Sequence, residues 1–226
     1  MDWTRQLDGY CERLAPGIWA EPLNAVTNLA FLGAALLMWR RGVGLGPARL
    51  LCGWVFAIGV GSFLFHTFAT PWAALADVVP IFAFVVTYIV LVNRDLFGMP
   101  TLWSSVLTAV ALPAAALIIP VIQWVPILHV SAGYMPVLFL IVVYAGIFAR
   151  QGRGDVAWGF AIGAGILFVS LWARSLDMPL CEVLPTGSHL LWHCLNGLML
   201  GWMIEVYIRA MRAKKAAQRS SGALWS

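Results

Sequence analysis

His189 and His193 stand four residues apart in the run Gly187-Ser-His-Leu-Leu-Trp-His-Cys-Leu-Asn-Gly197. Four residues are little more than one helical turn, so both imidazoles leave one face of one helix. Such a pair can offer two nitrogen ligands to a single metal ion. A third histidine, His66, closes another apolar run, Gly61-Ser-Phe-Leu-Phe-His66, and Asp77 follows eleven residues later in Ala74-Leu-Ala-Asp-Val-Val-Pro80. Ser62 lies one turn before His66 on the same helical face. Three imidazoles with a water at the fourth position make a tetrahedral zinc site that is open for chemistry. Asp77 then serves as the base for that water, and Ser62 as a hydrogen-bond donor to a developing oxyanion. Nitrogen ligands suit zinc better than calcium or magnesium, which prefer oxygen. The bland reading of one intramembrane histidine is a hydrogen-bonded packing residue. It fits His129, which lacks such company and reads as an interfacial residue.

The elements that position these residues are membrane helices. The chain of 226 residues is 62% hydrophobic and only 11% charged, with a mean hydropathy of +0.86. A soluble domain carries roughly twice that share of charge. The composition therefore predicts an all-α, polytopic membrane protein. Seven segments reach about the twenty apolar residues of a bilayer crossing, near 22–39, 48–69, 72–93, 99–120, 130–149, 155–174 and 188–208. Pro113 and Pro120 interrupt the fourth. Residues 1–21 then form an outer N-terminal segment, 22–208 a seven-helix bundle and 209–226 a basic tail. The first twenty residues hold Asp2, Arg5, Asp8, Glu12 and Arg13 without an apolar core, unlike a signal peptide.

Lys and Arg set the orientation. With the N-terminus outside, the inner side holds Arg40, Arg41, Arg49, Arg94, Arg150, Arg153, Arg209, Arg212, Lys214, Lys215 and Arg219, and the outer side only Arg5, Arg13 and Arg174. Eleven against three is a strong positive-inside bias, which places the C-terminus in the cytoplasm. The basic tail then anchors at the inner surface, and nucleic-acid binding is a poor account of it. His66, Asp77, His189 and His193 all fall in the outer layer, with Glu21, Asn24 and Asn28 at the mouth of the first helix.

Cys11 and Cys181 also share that side, where an oxidising compartment permits a disulfide between them. Cys52 and Cys194 read as small buried packing residues. Asp8, Asp177 and Glu182 read as solvated charges. Glu12 and Glu21 read the same way, with an oxygen-ligand cation site beside the zinc as the alternative. Trp3, Trp19, Trp72, Trp103 and Trp124 lie near helix ends, as an aromatic belt expects.

Ser62-x-x-x-His66, Asp77 and His189-x-x-x-His193, preceded by Cys11-Glu12 and Glu21-x-x-Asn24-x-x-x-Asn28, resemble the signature of the alkaline ceramidases. These belong to a superfamily of seven-helix membrane hydrolases that also holds adiponectin-type receptors and Per1-like proteins. The resemblance spans nearly the whole chain. It implies zinc on His66, His189 and His193, catalysis by Asp77 and Ser62, the Cys11–Cys181 disulfide, and cleavage of the ceramide amide to a sphingoid base and a fatty acid. It further implies calcium near Glu12 and Glu21. There the chain departs from the family motif: Asp8 is displaced by one position, and Arg13 puts a cation where an acid belongs, which weakens such a site.

The expected function is thus zinc-dependent hydrolysis of ceramide or a related N-acyl lipid, with membrane lipid as substrate and no protein partner evident. The competing expectation is a receptor-like or membrane-organising protein with a structural zinc. A metal or proton transporter ranks last, because it needs polar residues across the bilayer midplane. Short loops without glycosylation sequons point to a bacterial inner membrane with the site on its periplasmic side, the alternative being an endoplasmic reticulum or Golgi membrane.

Overall fold

The computed structural model describes residues 2–222, and all regular structure among them is helical. Six helices are long and apolar enough to cross a membrane: α1 (Pro22–Arg41), α2 (Gly46–Phe68), α3 (Pro71–Leu96), α4 (Thr101–Gln123), α5 (Pro126–Arg150) and α6 (Gly154–Leu176). They make this a multi-pass membrane protein. A seventh long helix, α7 (His189–Gly222), follows them. It falls outside the apolar set, and its sequence shows why: His189, His193, Asn196 and Glu205 lower its hydropathy. All four are buried. A helix whose polar side chains face protein does not need an apolar surface all round.

The basic segment expected from residue 209 continues α7 through Gly222, and its last four positions, 223–226, lie outside the described residues. Proline marks the helix starts, with Pro22, Pro71 and Pro126 at the first or second position, where the missing N–H costs nothing. Both interrupting prolines act as the sequence implies. α4 loosens at Leu117–Ile118 between Pro113 and Pro120.

Packing follows a ring. α2 packs on α1 and α3, α5 on α6, and α6 on α7, while α7 closes the ring against α1. α4 links α3 to α5, and only 6% of its apolar window is buried. The aromatic and aliphatic core lies between α1, α2, α3, α5, α6 and α7, around Phe31, Ile58, Phe84, Phe148, Phe160 and Ile204. Large apolar side chains such as Leu37, Phe56, Phe82, Val110, Phe139 and Leu198 face outward, as lipid contact requires.

The N-terminal segment crosses one end of this ring. Leu7 N–H donates to Ala69 O at 2.7 Å, Gln6 Nε2 to Phe68 O at 3.0 Å and Trp19 N–H to Thr67 O at 3.3 Å. These bonds seat the segment on the α2–α3 turn, and the disulfide Cys11–Cys181 fastens it to the loop before α7.

Candidate metal centre

His66 ends α2, His189 and His193 open α7, and the three rings meet at one end of the bundle. One ligand nitrogen from each ring can be chosen so that all three lie within 4.8 Å of one another. The side chains are 1%, 1% and 0% exposed.

Two of the rings are held by residues at the start of α1. The Thr27 hydroxyl donates to Leu23 O or Asn24 O, at 2.9 and 3.0 Å. Its oxygen must therefore accept from His193 Nδ1–H, 2.9 Å away. That tautomer leaves His193 Nε2 as a buried lone pair with no partner. Glu21 Oε2 lies 2.5 Å from His66 Nδ1 and turns that ring in the same way. His189 Nδ1 is also buried without a partner. Its ring is clamped between Tyr10, stacked at 4.0 Å, and Trp192, stacked at 5.2 Å. Convergent, unpartnered imidazole nitrogens backed by hydroxyl and carboxylate partners are the donor set a metal ion requires. The cluster could hold one.

Ser62 and Asp77 complete the group. At Gly61 the α2 and α3 backbones touch: a Cβ there would sit 1.9 Å from Ala76 O and 3.0 Å from Asp77 N. Only glycine permits this approach, which sets Ser62 against the first turns of α3. Asp77 lies within electrostatic reach of Ser62, His66 and Arg174. Ser62 is fully buried, and neither Ser62 Oγ nor Asp77 Oδ1 has a hydrogen-bond partner.

Sequence reasoning missed three residues here. Thr27 was invisible because a hydroxyl one turn into a membrane helix usually bonds only its own backbone. Asp177, expected as a solvated charge, is instead 2% exposed. Its Oδ1 accepts from Ser188 N–H at 2.7 Å and His189 N–H at 2.8 Å, and its Oδ2 accepts from Cys11 N–H at 3.1 Å. It thus caps the α7 N-terminus and ties the N-terminal segment to it. Its burial follows from that work, since a carboxylate is favoured beside free helical N–H groups. Arg174, counted only toward topology, reaches the same layer.

The acids expected near a calcium ion have other partners. Glu12 accepts from Leu23 N–H at 2.6 Å and Asn24 N–H at 2.8 Å, capping α1 from a distance. Glu21 Oε1 takes Arg13 Nε at 2.6 Å, and both side chains are 2% exposed. Burial pushes the Glu21 carboxyl up, but His66 and Arg13 outweigh it and hold the group below its ordinary value. Among the described residues, the three histidines form the one metal-capable group, and Glu12 and Glu21 are not part of it.

Of the remaining residues, His129 sits away from the cluster, 3.4 Å from Gln123 O. Cys52 is buried as expected, whereas Cys194 is exposed. Cys194 is one residue past His193, so about 100° of helical rotation carries it off the histidine face and out of the bundle.

A narrow apolar cavity begins beside the cluster at Phe31, Trp192 and Asn196 and runs toward the far end of the bundle past Phe84, Tyr88 and Met203. A groove open to the lipid side, between α3, α4 and α5, shares Ile81, Val85, Tyr134 and Val137 with it.

No protein-family model matches this chain, and no curated protein matches it either.

Proposed function

We propose that the protein is a zinc-dependent intramembrane amidase that hydrolyses ceramide or a related N-acyl lipid to an amine and a free fatty acid. The observation that carries the reading is the placement of unsatisfied groups. Two imidazole nitrogens, one carboxylate oxygen and one hydroxyl are buried without partners in a single layer, directly beside an apolar cavity. Buried polar atoms are rarely left so, and a cluster of them marks a site for chemistry.

A zinc ion on His66, His189 and His193 would supply a Lewis acid for the amide carbonyl and a water of lowered pKa. Asp77 would take a proton from that water as its oxygen bonds to the carbonyl carbon, and would give it to the nitrogen as the C–N bond breaks. Ser62 donates its hydroxyl hydrogen to the carbonyl oxygen as that oxygen gains charge. Glu21 and Thr27 hold the His66 and His193 rings in place. The acyl chain lies in the apolar cavity, and the groove beside Ile81 and Val85 gives it a lateral way in from the bilayer. An N-acyl lipid fits because its long chain and its amide sit at adjacent ends of one molecule.

We further infer that α7 is a seventh crossing, and that the cluster faces outward with the C-terminus cytoplasmic. The support is the eleven-to-three division of basic residues. In a bacterium that places the site at the periplasmic face of the inner membrane, where the Cys11–Cys181 disulfide is also at home.

The test is to purify the protein, measure bound metal and assay fatty-acid release from ceramides and other N-acyl amides. Protein that binds zinc yet hydrolyses none of them overturns the amidase reading. A structural zinc would leave Asp77 without a task, so Asp77→Asn with full activity points to that role instead.

A further inference from the structure

Resting on the amidase reading, we infer that Arg174 is the recognition residue for an anionic group on the amine half of the substrate, a carboxylate or a phosphate. Arg174 lies in the last turn of α6 beside the histidine cluster. Its guanidinium is surrounded by the ring faces of Tyr10, Tyr134 and Trp192, at 5.8, 5.5 and 5.5 Å. Two of these rings, Tyr10 and Trp192, are the ones that clamp His189. A single ring thus separates the cation from a metal ligand. Tyr134 and Trp192 also line the apolar cavity. Arg174 therefore stands where the cavity, the reacting centre and the N-terminal cover meet.

What it lacks is a carboxylate in ion-pair contact, since Asp77 acts on it only from a distance. Arg13, the buried arginine of this layer, is paired with Glu21, whereas Arg174 is half-buried; Arg41, Arg94 and Arg209 each have a carboxylate. No Asp or Glu among the described residues forms an ion pair with Arg174. Its Nη1 donates to the Tyr10 hydroxyl at 3.2 Å, and its Nε is buried with no acceptor at all. Aromatic faces soften the cost of such a cation but do not satisfy its N–H groups. A cation kept unpaired at the rim of an intramembrane site is placed for an anion that arrives with the ligand. The planar fork of arginine suits a carboxylate or phosphate in particular. With the acyl chain in the cavity and the amide at the histidines, the group that reaches Arg174 belongs to the amine half.

Binding tests this without turnover. Affinities of the purified protein in uncharged detergent are measured for N-palmitoylglycine and N-palmitoylethanolamine, which differ in a carboxylate against a hydroxymethyl group. A second pair is a ceramide with and without a phosphate on its primary hydroxyl. Wild type favours the anionic member of at least one pair by about tenfold or more, as a charge-assisted bond predicts, and the pair that shows it identifies carboxylate or phosphate. Arg174→Gln brings that ratio close to one, while Arg174→Lys keeps part of it. Bound metal per protein reports whether each variant retains the site.

A wild-type ratio near one in both pairs overturns the inference, whatever becomes of the variants. So does a preference that survives in Arg174→Gln, since the anion would then be held by the metal or another group. A wild type that prefers the anion but cleaves nothing sinks the amidase reading and leaves the recognition role standing.

Discussion

The two ends of the bundle both carry buried or half-buried acids, yet Asp77 at one end is treated in the opposite way to Glu205 and Asp95 at the other. At the end away from the histidines, Glu205 is bonded by Arg41 at 2.5 Å and Arg209 at 2.8 Å. Asp95 is bonded by Arg94 and by the Tyr207 hydroxyl, and Lys214 reaches its backbone carbonyl. Both of these carboxylates are answered by a cation. At the histidine end, Asp77 keeps an oxygen with no partner, beside an unpartnered serine and two unpartnered imidazole nitrogens. The first arrangement is what anchoring a helix end requires, the second what chemistry requires. The histidine end keeps its own ion pair, Arg13–Glu21, where a ring must be held, and leaves Asp77 outside any pair, where a ligand must compete.

The largest expected effect tests that contrast with one substitution at each end. Asp77→Asn lowers amide hydrolysis by about 10²–10⁴-fold with metal retained, the range for removing a general base. Because the carboxylate it removes is in no ion pair and has one oxygen without a partner, it costs less stability than the loss of a paired acid. Asp95→Asn does the reverse: hydrolysis persists, and stability drops by about 1–3 kcal/mol as a charge-assisted bond is lost. Thermal unfolding in detergent and fatty-acid release, measured on both variants, check the pair. If Asp77→Asn destabilises and Asp95→Asn inactivates, the assignment of the two ends is inverted.

Thr27→Val sharpens the comparison inside the histidine end. It removes the acceptor of His193 Nδ1–H while keeping the shape of the side chain. The ring is then free to rotate or change tautomer, so metal affinity falls by roughly 10–100-fold. Competition with a chromophoric chelator reads this directly. An unchanged affinity would mean that the α1 hydroxyl does not orient the ring.

Gly187→Ala comes next, and it addresses the cap. Gly187 has φ of +66°, and a Cβ there would meet Asp177 Oδ1 at 2.0 Å. The substitution strains the backbone and displaces the carboxylate that holds His189 N–H, costing about 1–3 kcal/mol and loosening the metal ligand with it. Paired unfolding and metal-content measurements on this variant test the link. Loss of stability with undiminished metal binding separates the cap from the site.

These residues also mark where the sequence was legible. The histidines, Ser62 and Asp77 were readable because their types are rare in apolar runs and their spacing fixes which helix face they leave. Six of the crossings followed from length and hydropathy, and the split of α4 from its two prolines. α7 was harder, because the site itself dilutes its apolarity. Thr27 and Asp177 were not legible as site residues. Each acts through a partner far along the chain: His193 lies 166 residues from Thr27, and Cys11 lies 166 from Asp177. A single sequence records no such pairing. An acid in an outer loop looks solvated until the fold turns a helix end toward it.

The smallest expected effect concerns calcium. Arg13 weakens a calcium site by its charge, and the structure adds that its Nε already occupies Glu21 Oε1, while His66 takes Oε2. Glu12 is equally committed, to two N–H groups of α1. A calcium ion gathers 6–8 oxygens, so it would have to strip these acids from bonds that seat the first helix and orient a histidine. A calcium-selective chelator should therefore change activity by less than about twofold, a shift smaller than one lost charged hydrogen bond produces. The complementary variant is Arg13→Gln, which leaves Glu21 with His66 alone. Glu21 owes its lowered pKa to both partners, against the burial that would raise it. A lowered carboxylate contributes stability that is present above its unfolded pKa and lost as pH falls through the folded value. Removing Arg13 raises that folded value and narrows the window, so the variant loses activity at a higher pH on acidification than wild type. Strong inhibition of wild type by the chelator, with identical acid limbs for the two proteins, would show instead that Glu21 leaves Arg13 for a divalent ion.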